Sequence, residues 1–296
     1  MKKYVALSLL MISTLTSCGV PAATDMMADM QPMRVQFAAA VNDQDFSCGT
    51  SFNNVGTTNS TLTPKDFRFY VHDVTLIRAD GEAVPMQLEQ DGKWQLQNIA
   101  LLDFEDKTGS CDGNPDMNME IKGMAPAGEY TGIKFKLGVP TAMNHGDPNA
   151  AESPLNLTSM FWTWRFGHKF ARLDMTTTGM PQGYFIHLGS TACEAVEATE
   201  STEGNLKVSH AGHDHGDEHK GNCANPNIAE ITIEDFDVNS DTLVADLGQL
   251  LAESNIDTNQ EETAAGCMSS PDDADCEGIM KNFGLKEAPQ RFFRKK

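Results

Sequence analysis

The chain has 296 residues, 42 of them acidic and 22 basic, for a formal charge of −20. Such a surface repels nucleic acid and anionic membrane, and attracts cations or a basic face on a partner. At 40% hydrophobic residues the chain can bury a substantial core, and its length suits one large β domain.

Lys2 and Lys3 open a positively charged start, and residues 4–15 form an apolar run too short to remain across a bilayer. Leu15-Thr16-Ser17-Cys18 then looks like the cleavage motif of bacterial lipoproteins, with 1–17 as signal peptide and Cys18 as the lipidated mature N-terminus. Gly19 rather than Asp follows Cys18, which by resemblance to Gram-negative lipoproteins favours the outer membrane, on its periplasmic side or the cell surface. Cleavage would remove both lysines and leave 20 basic against 42 acidic residues, a formal charge of −22. Residues 18–31 read as a lipid-proximal tether, and 32–296 as a single domain.

From Arg34 the pattern alternates. Arg34-Val35-Gln36-Phe37, the long run from Phe67 to Ile77, Trp94-Gln95-Leu96-Gln97, Ile99-Ala100-Leu101-Leu102 and the stretch 130–137 follow in order. Residues 169–174, 184–188 and 229–233 continue it. Period-two alternation in short runs broken by Gly, Pro and Asn predicts antiparallel sheets: an all-β sandwich or partly closed barrel. Helices are expected only over 244–253 and 275–283.

Six cysteines remain beyond Cys18, an even number that implies disulfides in an oxidising compartment. Six permit fifteen connectivities; sequential pairing is the simplest, giving Cys48–Cys111, Cys193–Cys223 and Cys267–Cys276. Between Cys193 and Cys223 lies Ser-His-Ala-Gly-His-Asp-His-Gly-Asp-Glu-His-Lys-Gly, residues 209–221, with His210, His213, His215 and His219. It has no apolar anchor, so a mobile loop is expected, a weak chelator of Cu(II), Zn(II) or Ni(II) or simply a solvated insertion.

Residues 144–193 concentrate the chemistry. His145 follows Asn144 in a Gly-Asp-Pro turn, Trp162 and Trp164 sit in Met-Phe-Trp-Thr-Trp, and His187 lies in an apolar strand before Leu188-Gly189-Ser190. Imidazoles suit copper, zinc, iron or nickel. The plain alternative is a hydrogen-bonded core histidine beside an aromatic pair. Indole ligates nothing until oxidised, but an electron-rich ring near a redox metal is a target for opening to kynurenine. Methionines at 26, 27, 30, 33, 143, 160 and 268 read as tether and core filling before soft ligands. Asp103 and Glu105, alternating with apolar residues, read as solvated strand-face carboxylates before partners that orient a ligand histidine, and His72 and His168 as strand-face residues that could add a ligand.

The chain resembles the MbnP-like family, the four-Cys-motif proteins of the metallo-mystery pair. The resemblance rests on Asp66-Phe67-Arg68-Phe69-Tyr70-Val71, Leu101-Leu102-Asp103-Phe104-Glu105, Leu137-Gly138-Val139-Pro140, Asn144-His145 and Ser153-Pro154-Leu155-Asn156-Leu157. Met160-Phe161-Trp162-Thr163-Trp164, Gly167-His168-Lys169-Phe170, His187-Leu188-Gly189-Ser190-Thr191-Ala192-Cys193 and Gly266-Cys267-Met268-Ser269 complete it. It implies a copper-binding protein rather than an enzyme. The implied ligands are His145, His187 and a kynurenine made from Trp162 or Trp164, with a lean to Trp164. A di-haem MbnH-like partner related to cytochrome c peroxidases would carry out the oxidation. His168 stands where relatives have Tyr. Two rival readings remain: a copper-dependent oxidoreductase, against which the chain offers no dedicated acid–base constellation, and a structural surface sandwich whose His-rich loop alone captures metal.

Overall fold

The computed structural model of the protein describes residues 29–163, 165–194, 222–286 and 288–296. Its principal strands are β1 (Met30–Val41), β2 (Ser60–Arg78), β3 (Ile99–Asp103), β4 (Glu120–Pro126), β5 (Tyr130–Leu137), β6 (Phe161–Thr163), β7 (Gly167–His168) and β8 (Ala171–Thr177). They continue as β9 (Tyr184–Leu188), β10 (Thr191–Cys193), β11 (Cys223–Asn225), β12 (Ala229–Glu234), β13 (Thr242–Asp246), β14 (Gly266–Cys267) and β15 (Phe293–Lys295).

Two open sheets face each other, and neither closes into a barrel. In the smaller, β1 is central: it runs parallel to β13, with Phe37 opposite Leu243, and antiparallel to β4, with Val35 opposite Ile121. The larger runs β12-β5-β2-β8-β9-β14, with shorter strands and β3 on β2. Alternation decides the core. Phe37 and Phe293 from the first sheet meet Phe69 and Phe135 from the second, edge-on, at centroid distances of 5.1–6.3 Å. Such pairs add roughly 0.5–1.5 kcal/mol each beyond the area they bury.

The longest strand, β2, bends at Asp73, which takes a left-handed φ of 54°. A short polar side chain tolerates that conformation; here its carboxylate accepts from Asn98 Nδ2 at 2.6 Å and Lys136 Nζ at 3.1 Å. Helices are short: α1 (Thr141–Asn144), α2 (Leu247–Leu250) and α3 (Asp275–Asn282). The helix expected over 244–253 is therefore mostly absent. Val244 and Ala245 are zipped between β1 and β15, and only the stretch after Asp246, whose carboxylate caps Gly248 and Gln249, turns helical. A short apolar run does not reveal its period, and strand partners far away in sequence settle it.

Cys48 is bonded to Cys111, Cys193 to Cys223 and Cys267 to Cys276. Among the described residues, no helix is long and apolar enough to cross a membrane.

Candidate metal centre

The site is built on the C-terminal end of β9. In the β8–β9 ladder His187 lies opposite Arg172, and Asp174 opposite Phe185, so Asp174 is the diagonal neighbour of His187 on one sheet face. Asp174 Oδ1 sits 2.7 Å from His187 Nε2. Its other oxygen accepts from Arg172 Nε at 2.7 Å, and Arg172 also reaches Asp66 at 3.2 Å. Asp66 in turn pairs with Arg68, with both carboxylate oxygens engaged.

The β8–β2 register explains the row. Asp174 stands directly opposite Asp66, and Arg172 opposite Arg68. Opposed like charges repel, so the two arginines are what makes the arrangement tenable. The environments separate the acids. Burial dominates at Asp66 and pushes its carboxyl up despite Arg68. At Asp174 burial also acts upward, but the hydrogen bonds and charges of His187 and Arg172 outweigh it and hold the carboxyl below its usual range. An ionised Asp174 accepting from Nε2–H leaves His187 Nδ1 as the atom with a lone pair to offer.

Trp162, at the start of the β6–β7 hairpin, lies against this histidine with ring centroids 6.2 Å apart. The indole is seated on Gly189: a Cβ there would come 2.5 Å from Trp162 Cζ3. Ser269 fixes the backbone beneath, donating its hydroxyl to His187 O at 2.9 Å and accepting from Gly189 N at 3.0 Å.

His145 is presented by a different anchor. Asn144 is buried; its Oδ1 accepts from His168 N at 2.8 Å and its Nδ2 lies 3.3 Å from Ser190 Oγ. Gly167, with φ 77°, allows the approach, since a Cβ would strike Asn144 at 2.5 Å. His168 is fully buried, its Nδ1 2.8 Å from Asn144 O and its Nε2 3.0 Å from Leu155 O. Both ring nitrogens face carbonyls, so the ring links Leu155 to Asn144 and helps to hold the His145 loop. Burial lowers its basicity, partly opposed by those two carbonyls. His145 Nε2 faces Cys223 Sγ at 3.4 Å. His145, Cys193 and Cys223 bring one donor atom each within 4.8 Å of one another, but the two sulfurs are joined as a disulfide and are not thiolates.

The structure thus brings Trp162 to His187, while His145 sits at the Cys193–Cys223 disulfide and is tied to the β9 end through Asn144 and Ser190. Trp164, the four histidines of 209–221 and Cys18 lie outside the described residues. His72 belongs elsewhere. It is buried, with Nδ1 3.2 Å from Asp73 Oδ2 but off the line of a hydrogen bond, and its charged neighbours are Asp73 and Lys136.

Asp103 and Glu105 correct the reading of solvated strand-face acids: both are fully buried. Glu105 is caged by the backbone N–H groups of Lys107, Gly113 and Asn114 at 2.8–3.1 Å. Asp103 is pushed up to about 8, chiefly by burial, with Arg68 pulling down and Glu105 pushing up. Alternation identifies a strand face, but here the face that reads as wet is covered by the 105–118 loop.

Asp174, Arg172 and Ser269 are functional candidates that sequence reasoning passed over. Arg172 and Asp174 at i and i+2 showed a shared face; nothing in their spacing showed that the face is buried against Asp66.

These features define a disulfide-linked β-sandwich with a histidine–indole pair on one sheet end, backed by buried charge. A profile of the MbnP family matches residues 30–269, and the chain belongs to the MbnP family. Among solved structures it is similar to "MbnP from Methylosinus trichosporium", at 26% identity and a TM-score of 0.75, over 90% of this chain and 98% of that one. A search of curated proteins returned no match.

Proposed function

We propose that the protein is a copper-binding protein whose site uses His187, His145 and an oxidised indole from Trp162 or Trp164. The observation that carries this reading is the seating of Trp162 on Gly189 beside His187, with His187 Nε2 held by Asp174. The donor set fits the metal: imidazole suits copper, and a carboxylate on the remote ring nitrogen is the usual companion of a ligating histidine. Copper, when bound, supplies a redox-active Lewis-acid centre. The chain's own residues do the rest. Asp174 and Arg172 fix the ring of His187, Ser269 fixes the backbone under it, and Asn144 with His168 holds the His145 loop.

On this reading the protein binds metal and is itself the substrate of a maturation step. A di-haem MbnH-like partner would dock through a basic face to the acidic surface of this chain. It would use a peroxide-class oxidant to open the indole. The chain would be lipid-anchored at Cys18, on the periplasmic side of the outer membrane or at the cell surface, and the 209–221 segment would collect metal loosely for the ordered site.

The test is metal stoichiometry and tryptic mass mapping on protein produced with its haem partner, in a variant lacking residues 209–221. One tightly held copper with a kynurenine at 162 or 164 supports the proposal. Intact tryptophans at both positions and no retained metal would refute it.

A further inference from the structure

We propose that the Cys193–Cys223 disulfide closes a reductively opened metal site, in which the two thiolates and His145, the histidine also named for the copper site, hold a soft, thiophilic cation such as Cu(I), Zn(II) or Cd(II).

Three observations carry it. The donor atoms of His145, Cys193 and Cys223 already lie within 4.8 Å of one another. Around a tetrahedral thiophilic ion, with metal–sulfur bonds of about 2.3 Å and metal–nitrogen bonds of about 2.0 Å, a sulfur and a nitrogen ligand are about 3.5 Å apart. His145 Nε2 and Cys223 Sγ stand at 3.4 Å. The same geometry asks for about 3.8 Å between the sulfurs, so breaking the bond of about 2 Å requires an opening of under 2 Å, within the reach of side-chain rotation.

The frame that presents the three donors does not depend on the disulfide alone. Cys193 and Cys223 are directly opposed in the β10–β11 ladder, which also pairs Thr191 with Asn225. Asn225 Nδ2 donates to Thr191 Oγ1 at 3.1 Å, a second tie between the strands. His145 follows Asn144, which is anchored by His168 and Ser190. The amide Nδ2 of Asn144 lies 3.3 Å from both His145 Nε2 and Ser190 Oγ, so it keeps the Ser190 contact when Nε2 turns to a metal.

The chemistry needs a dithiol reductant. Cys223 is half-buried and Cys193 is buried, so a thiolate attacks Cys223 Sγ. A mixed disulfide forms, the Cys193–Cys223 bond breaks, and its electron pair leaves on Cys193. The second thiol of the reductant then releases Cys223 and closes its own disulfide. Two electrons and two protons pass from the reductant to the cystine. Metal binding afterwards displaces the two thiol protons.

This inference shares His145 with the copper reading but requires neither His187 nor an oxidised indole, and an absorption increment from these two thiolates, which only this site produces, tells its failure from that of the copper reading. The experiment is an anaerobic Cd(II) titration of the full chain, before and after reduction with a small dithiol that is then removed, followed by the ultraviolet thiolate-to-cadmium charge-transfer band. Reduced wild type should show a band larger by two thiolates than that of the equally reduced Cys193→Ser/Cys223→Ser double variant, whose two other cysteine pairs supply a common background. The double variant, checked by circular dichroism, should lack that increment and keep only the band of its four other reduced cysteines. His145→Ala should keep the band and bind at least tenfold more weakly. An absent increment in the reduced wild type, an unchanged band in the double variant or an unchanged affinity in His145→Ala would each overturn the proposal.

Discussion

Replacing Asp174 by Asn keeps the shape of the side chain and removes its charge, which isolates what the carboxylate does for His187. The carboxylate serves two donors at once, His187 Nε2 at 2.7 Å and Arg172 Nε at 2.7 Å. An amide has one acceptor and one donor end, so it can satisfy only one of them. If its oxygen faces His187, its NH₂ opposes the guanidinium. If its NH₂ faces His187, Nε2 must accept, the ring proton moves to Nδ1, and the lone pair offered to a metal is lost. Removing such a histidine partner costs about 10–100-fold in metal affinity, or roughly 1.4–2.7 kcal/mol. The cost in stability is moderated because Arg172 retains Asp66 at 3.2 Å. About 1–3 kcal/mol is expected for the lost charge-assisted bond, a fall of about 2–4 °C in Tm per kcal/mol for a domain of this size. The assay is copper affinity by competition with a calibrated chelator, alongside thermal melts of the metal-free protein. Asp66→Asn is the comparator: it disturbs the same charge row without touching His187, so it should lower Tm with little change in affinity. A folded Asp174→Asn protein that binds copper within twofold of wild type would refute the reasoning. The same carboxyl sets an acid limit. Its folded pKa is depressed, so its contribution is present above the ordinary Asp value and is lost as pH falls through the still lower folded value. Below about pH 4, wild type should therefore lose Tm more steeply than Asp174→Asn.

Asp103 has the opposite sign. Its folded pKa, pushed up to about 8, lies above the unfolded value, so its contribution is full at low pH and is lost as pH rises through the folded pKa. Tm measured from pH 5 to 9 should decline on this account, and Asp103→Asn should flatten the decline; an unchanged slope would count against a buried, neutral Asp103. Gly189→Ala places a Cβ 2.5 Å from Trp162 Cζ3, and should cost about 1–3 kcal/mol by overpacking. It should also shift the tryptophan emission, whereas wild-type Tm and emission together would show that the indole is not seated there. Glu105→Gln weakens the cage formed by the N–H groups of Lys107, Gly113 and Asn114. Urea melts should show a loss of about 1.5–3 kcal/mol, and no loss would mean the loop is held by other contacts.

The sequence by itself determined the sheet-rich architecture, because alternation such as Phe67 to Ile77 or Tyr130 to Leu137 is a local property of the chain. The family was legible too, since its motifs are strings of neighbours, and so were His145, His187 and Trp162 as residues of interest. What tertiary structure alone decided was who meets whom. Val244 and Ala245 became strand instead of helix because β1 and β15, far away in the chain, offered them ladder partners. Asp103 and Glu105 became buried because the following loop folds over them. Asp174 became the partner of His187 through a diagonal set by the β8–β9 register. His145 came to the Cys193–Cys223 disulfide through an asparagine anchored on another hairpin. Periodicity states which face a side chain occupies; register and long-range covering decide what lies against that face, and that is where the chemistry of this protein was fixed.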